Sequence, residues 1–377
     1  MTDKENQLGE LLCEIANELN ITDTMYDRAV ESYTAVGKWI GDGLTYTVEI
    51  MPQGSMNLGT TIRPINEEDD YDIDLVCLLK NGSFLAAKDI KNLVGNRLKE
   101  HGTYRQKLSE GHRCWTMNYA GFHMDILPCV PKNGYFIKDY STEIRLTHKI
   151  GDSHYIDKYS NPYEYGQWFV KQMSDVFKSY REKYAMANNT VIDKVPSYKV
   201  RTPLQQSIQL LKRHRDIIFG DDENAPISII ITTLAAESYN NELNLFDALS
   251  NILEHMTDHI ENRSGVLWVQ NPVMPAENFA DKWQTHPERK TAFYSWVRQA
   301  KKDLLTDPIG TFGIDTIGNH YKQVLGDLPV TRALNSLGDN ARAARNNGSL
   351  FIEGLTGGIT TNRTDYSTKI KEHTFFG

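Results

Sequence analysis

Much of what this 377-residue chain does not contain narrows what it can be. It carries no apolar run of membrane-spanning length and no basic-then-apolar leader pattern, so no membrane partner is expected and the cytoplasm is the expected location. Its four cysteines, Cys13, Cys77, Cys114 and Cys129, are scattered and show neither disulfide nor metal-ligand spacing. A basic excess is also absent: 41 Lys and Arg against 49 Asp and Glu leave a formal charge of −8. That balance argues against broad, unspecific binding to long nucleic acid, although it allows a local basic groove. Internal repeats and low-complexity tracts are missing too. What remains is an ordinary soluble composition, 40% hydrophobic and 24% charged, long enough to bury a core in two lobes.

The informative stretch is 49–79. It reads as a strand, a Gly54-Ser55 turn, a short helix, a charged loop and a second strand. Asp72 and Asp74 open that second strand on either side of Ile73, so strand alternation projects both carboxylates from one face, about 6–7 Å apart. Leu75 to Leu79 follow as an unbroken apolar run, the pattern of a strand buried on both faces. Paired carboxylates there suit a divalent cation better than they suit a core. A Gly-Ser turn feeding a helix brings backbone N–H groups and a hydroxyl to an anion. Together the two halves place a triphosphate beside its metals.

This pattern resembles the nucleotidyltransferase superfamily of DNA polymerase beta, which combines a Gly-Ser turn, Asp-apolar-Asp and a third carboxylate on a neighbouring strand. Sixteen residues separate Ser55 from Asp72, longer than many members show. Asp70-Tyr71-Asp72-Ile73 satisfies the same pattern with a shorter gap; the frame Asp72/Asp74 is preferred because the buried run starts directly after it.

Along the chain, Leu8, Leu11, Leu12, Ile15 and Leu19 form one helical stripe, and a second helix is expected from about Thr24. A helix is expected over 88–100. Residues 113–119 and 122–127 read as a hairpin around Ala120-Gly121. On its return strand Phe122, Met124 and Ile126 alternate with His123 and Asp125, which makes Asp125 the expected third acid; His123 is left as a structural residue. Residues 160–340 read as mostly helical, with one helix from Leu204 to Phe219 and another begun by Pro226. From about Gly338 an extended tail is expected.

The segments Gln53-Gly54-Ser55-Met56, 210–216, 226–229 and 271–283 narrow the resemblance to bacterial cGAS/DncV-like nucleotidyltransferases (CD-NTases), over roughly residues 5–340. It implies an α+β, two-lobed fold with a mixed-sheet catalytic lobe facing a helical lobe. The expected divisions are 1–42 (helices bracing the lobes), 43–160 (catalytic core), 161–340 (helical domain) and 341–377 (flexible tail). Asp72, Asp74 and Asp125 would hold two Mg²⁺ (or Mn²⁺) ions, and Gln53, Gly54, Ser55, Lys212 and Ser228 would contact the nucleotide. The implied activity joins NTPs, with ATP an expected substrate and the second base open, into a cyclic di- or trinucleotide second messenger of antiphage defence. The alternatives are another transferase of the superfamily (linear oligoadenylate, tRNA or small-molecule nucleotidylation) or a catalytically silent nucleotide-binding regulator. No Cys/His cluster accompanies the motif, so zinc-dependent DNA sensing is not expected. Some relatives join their C-terminus to other molecules through a ubiquitin-transfer-like partner. The ending Phe375-Phe376-Gly377 resembles that signal, with Gly377 as the conjugated residue.

Overall fold

The computed structural model describes residues 2–66, 70–138, 141–151, 153–188, 190–194, 199–353, 359–360 and 367–370. Two capped helices open the chain. In α1 (Asp3–Leu19) the Thr2 hydroxyl accepts from Glu5 N–H while the Glu5 carboxylate accepts from Thr2 N–H; Thr22 caps α2 (Asp23–Asp42). The two helices serve different cores. Leu8, Leu11, Leu12, Ile15 and Leu19 pack into the helical lobe, whereas Ala29, Val36 and Ile40 pack on the sheet. A three-residue link between them thus ties the lobes together.

The sheet begins with β1 (Val48–Pro52), followed by α3 (Gly54–Leu58) and β2 (Tyr71–Leu79). Next come α4 (Ala87–Glu100), α5 (Gly102–Lys107), β3 (Leu108–Glu110), β4 (Trp115–Tyr119) and β5 (Phe122–Pro131). Strand order is β1-β2-β5-β4-β3, and β6 (Ile144–Ile150) and β7 (His154–Ser160) continue from the end of β5. Only β2 and β5 among these pairs run parallel. The sheet is therefore mixed, and both of its faces are covered where β2 turns apolar. Ile73, Leu75, Cys77 and Leu79 face α2 and α4, while Val76 and Leu78 join Cys129, Ile144 and Leu146 on the other side. Fully burying one such side chain contributes about 1.5–3 kcal/mol. Gly95 on α4 leaves the space that the Trp115 ring fills; a Cβ there would meet the ring at 2.1 Å.

The helical lobe contains α6 (Pro162–Lys171), α7 (Ser174–Ala187), α8 (Pro203–Phe219), α9 (Ser228–Ser238) and α10 (Leu245–His255). Two small hairpins interrupt it: β8 (Glu261–Arg263) with β9 (Val266–Trp268), and β10 (Gln270–Asn271) with β11 (Met274–Asn278). It closes with α11 (Pro287–Lys301), a π-helical turn (Lys302–Thr306), α12 (Asp307–Gly310), α13 (Ile314–Leu325) and α14 (Asp327–Asn346). Pro226 lies two residues ahead of α9 rather than inside its first turn. No described helix is long and apolar enough to cross a membrane.

One expectation changes. The chain does not leave the helical state at Gly338, because α14 continues through Asn346. Ala341-Arg-Ala-Ala-Arg345 is a run of strong helix formers, enough to carry a helix over one glycine. Beyond it β12 (Phe351–Glu353) pairs with β13 (Ile359–Thr360) and β14 (Ser367–Lys369). Phe375, Phe376 and Gly377 lie outside the described residues.

Candidate active site

Parallel pairing of β2 with β5 sets Asp74 beside Asp125 and Asp72 beside His123. Because the odd-numbered residues of β2 point into the α2/α4 core, both acids stand on the opposite face. Burial, with repulsion from Asp125 and Asp72 behind it, pushes the Asp74 carboxyl up to about 6, while Lys212 pulls the other way. Asp72 is also raised, by burial first and then by Asp125. The three carboxylates therefore act on one another as a cluster. Asp70 stands apart, with its Oδ2 3.2 Å from His123 Nε2.

The turn before α3 is shaped around the same cluster. Gly54 has φ +57°, and a Cβ on it would meet Asp74 Oδ2 at 2.4 Å, so glycine is required twice over. The Gln53 N–H donates to the Asp74 carbonyl at 2.8 Å, which fixes the turn to the acid strand. Ser55 Oγ accepts from Thr61 Oγ1 at 3.1 Å, leaving its own proton free to point elsewhere.

From the helical lobe, α8 reaches the loop behind this turn. Thr202 and Gln205 form a capping box at its start. Gln205 Nε2 then donates to Leu58 O (2.8 Å), Gln209 Nε2 to Thr61 O (2.9 Å), and Lys212 Nζ to Thr60 O (3.2 Å) and Thr60 Oγ1 (3.3 Å). Lys212 is buried, and that burial together with Arg215 pushes its ammonium down to about 8; Asp216 and Asp74 oppose the fall. Ser228 opens α9, and its Oγ accepts from Arg215 Nη1 at 3.1 Å. The fold thus places Gln53, Gly54, Ser55, Asp72, Asp74 and Asp125 on the sheet lobe, with Lys212 bonded to Thr60 and near enough to Asp74 to oppose the rise of its carboxyl. Ser228 is engaged one step further out, through Arg215.

Sequence reading missed Thr116. Its Oγ1 donates to Asp125 Oδ1 at 2.5 Å from the directly opposite position on β4. The signal was available: a hairpin turning at Ala120-Gly121 pairs Tyr119 with Phe122, and three steps back Thr116 meets Asp125. Thr60 and Arg215 were missed as well, and neither carries a local sequence signal.

Comparison with known proteins identifies the family and the fold. A family described as "Cyclic GMP-AMP synthase DncV-like, nucleotidyltransferase domain" matches residues 48–128, the span from β1 into β5 that holds all three acids. The chain is 31% identical over 385 aligned positions to a c-di-GMP synthase of Roseivirga ehrenbergii, covering 99% of this chain and 98% of that one. It is 25% identical to the cyclic dinucleotide synthase CdnG of Bradyrhizobium diazoefficiens, over 90% of this chain and 84% of the relative. The solved structure of that CdnG in complex with GTP superposes with a TM-score of 0.69, at 22% identity, over 88% of this chain and 99% of the other. That superposition establishes the fold, and the near-full-length relative carries the rest: this chain belongs to the cGAS/DncV-like nucleotidyltransferases (CD-NTases), enzymes that synthesise cyclic oligonucleotides.

Proposed function

We propose that the chain condenses two molecules of GTP into a cyclic dinucleotide, cyclic di-GMP, at the Asp72/Asp74/Asp125 cluster. The observation that carries this reading is the parallel register of Asp74 with Asp125, with Gly54 pressed against the Asp74 carboxylate. Guanine as the base follows the names of the relatives, and one cavity suits it. About 360 Å³ lies between the start of α9 and residues 277–283, with Arg113 at its edge. Asp281 there offers a carboxylate for the N1–H and N2–H₂ edge, and Arg113 and Arg289 offer guanidiniums for O6 and N7.

Three carboxylates, two of them with raised pKa, are hard-oxygen donors of the kind that Mg²⁺ or Mn²⁺ takes, although their oxygens do not all lie within 4.8 Å of one another. Bound there, the cations would neutralise triphosphate charge and lower the pKa of the attacking hydroxyl. The residues do the positioning. Thr116 holds Asp125 toward the incoming ribose hydroxyl; the Gly54-Ser55 turn takes donor phosphate oxygens; Lys212 sets one positive charge behind the cluster. The hydroxyl oxygen attacks the α-phosphorus in line, a P–O bond forms, and pyrophosphate leaves with the broken bond's electrons. The linear product then turns so that its free hydroxyl attacks its own remaining triphosphate, releasing a second pyrophosphate and closing the ring. We extend the reading to a signalling role in antiphage defence, with the product acting on a separate effector.

The test is incubation with each NTP alone and in pairs, with Mg²⁺ or Mn²⁺, then phosphatase treatment and mass spectrometry. A phosphatase-resistant cyclic di-GMP from GTP alone is expected. No product from GTP alone, with product from mixed NTPs, would move the base assignment; linear products only would overturn cyclisation.

A further inference from the structure

The helical lobe holds a second group of metal-ligating side chains, outside the acid strand and its partners. Asp303 stands in the π-helical turn, Asp307 opens α12, and His320 lies on α13. One ligand atom from each, two carboxylate oxygens and one imidazole nitrogen, lie within 4.8 Å of one another. Among the described residues no other group of three His, Cys, Asp or Glu side chains comes so close. Two ligands on one zinc-sized ion, with bonds of about 2.0–2.2 Å, stand no more than about 4.4 Å apart. These three therefore need to close by a few tenths of an ångström at most. Asp307 can supply that movement, because its side chain is 39% exposed and its ion pair with exposed Lys302 is long, at 3.8 Å.

The local chain explains why the group forms. In the π-helical turn the Asp307 N–H donates to Lys302 O, five residues back, and the next residue, Pro308, has no N–H to give the Asp303 carbonyl in the same pattern. His320 Nε2 takes that place, 2.6 Å from Asp303 O, and Tyr321 OH donates to Leu304 O at 3.0 Å. These two bonds hold α13 against the turn.

Asp303 is the buried member, at 5% exposure, and its side-chain donors are neutral. Trp296 Nε1 donates to His214 Nδ1 at 3.0 Å, which leaves the His214 proton on Nε2, 3.1 Å from Asp303 Oδ2. Gln299 Nε2 donates to Asp303 Oδ1 at 2.7 Å. Among the described residues no Lys or Arg forms an ion pair with Asp303. A buried carboxylate oriented by neutral donors, with lone pairs to spare and no positive charge against it, is what surrounds a ligating carboxylate in metal sites.

We propose that Asp303, Asp307 and His320 bind one divalent transition-metal ion of the zinc class, and that this ion clamps α13 to the π-helical turn. An imidazole among carboxylates suits zinc, iron or nickel better than magnesium or calcium. Three protein ligands, with solvent in the fourth place on the exposed Asp307 side, complete a tetrahedral shell. The site is distinct from Asp72, Asp74 and Asp125, which offer oxygen alone. Through His214, two residues beyond Lys212 on α8, the clamp backs the helix that grips residues 58–64. Its role is to stiffen the helical lobe, not to take part in the reaction.

The experiment uses the full chain carrying Asp74→Asn, which disables the catalytic cation site, in millimolar Mg²⁺. Zn²⁺ is titrated by calorimetry and its effect on the thermal melt is recorded. One equivalent should bind and raise the melting temperature. Asp307→Asn, which keeps the side chain's shape, and His320→Ala should each weaken binding at least about a hundredfold, and Gln299→Ala, which leaves all three ligands in place, about tenfold. His255→Ala, in the exposed surface pair His255–Asp258, should change nothing. A metal-free melt of Asp307→Asn matching its parent, with the zinc stabilisation gone, assigns the effect to ligation. Zinc binding that persists in both Asp307→Asn and His320→Ala, that disappears with His255→Ala, or that leaves the melting temperature unmoved would each overturn the proposal.

Discussion

The acid strand β2 and the polar stripe of α8 are both charged, both partly buried, and separated by a single loop, yet they are organised in opposite ways. Four long side chains of α8 donate across the seam: Gln205, Gln209, Lys212 and Arg213 run down one side of the helix and end on oxygens of residues 58–64. On β2, Asp72 and Asp74 receive no side-chain hydrogen bond among the described residues, and burial and mutual repulsion raise both. Satisfied donors stabilise a scaffold, whereas acceptors left without donors destabilise one until something positive arrives from outside. The difference separates the part that holds the loop from the part that does chemistry.

Asp74→Asn cuts most deeply into that comparison. Losing one ligand charge at constant shape should lower product formation about a thousandfold while leaving or raising the melting temperature without metal. A fall in melting temperature would mean that Asp74 is structural and the contrast with α8 is false. Asp70→Asn is the control, with turnover expected within a few-fold of the parent.

Gly54→Ala comes next. The new methyl collides with Asp74 Oδ2 and places a non-glycine residue at φ +57°. Turnover should drop about a hundredfold, and stability by roughly 1–2 kcal/mol for the left-handed backbone alone. Parallel measurement of kcat and the chemical denaturation midpoint checks both, and a near-normal kcat would detach the turn from the acid cluster.

The third test uses pH. A carboxyl raised from 3.8 to about 6 binds its proton more tightly folded than unfolded. Stability is therefore fully present below about 4 and is lost as pH rises through about 6, by up to roughly 3 kcal/mol in the metal-free protein. Mn²⁺ should raise the melting temperature more at pH 7.5 than at pH 5, and this difference should vanish in Asp74→Asn. An equal Mn²⁺ effect at both pH values would show that the cation binds elsewhere.

The smallest effect belongs to the seam. Gln205→Leu leaves Leu58 O without its donor and should cost about 1–3 kcal/mol in denaturation midpoint, with kcat within a few-fold. If kcat collapses while stability holds, α8 is part of the catalytic machinery rather than its support.

Where a signal is periodic, local order was enough. The alternation Asp72-Ile73-Asp74, the apolar run after it and the 122–127 alternation set the strands and the face each acid takes, since side-chain direction follows from the pleat, whereas the parallel register that puts Asp74 beside Asp125 belongs to the sheet topology. The α1 stripe named its buried residues in the same way. Only the tertiary structure decided the role of 205–213. Hydrophobic periodicity cannot mark a buried glutamine or arginine, so this stretch reads equally as a solvated basic helix. It is buried because residues 58–64 supply backbone carbonyls against it.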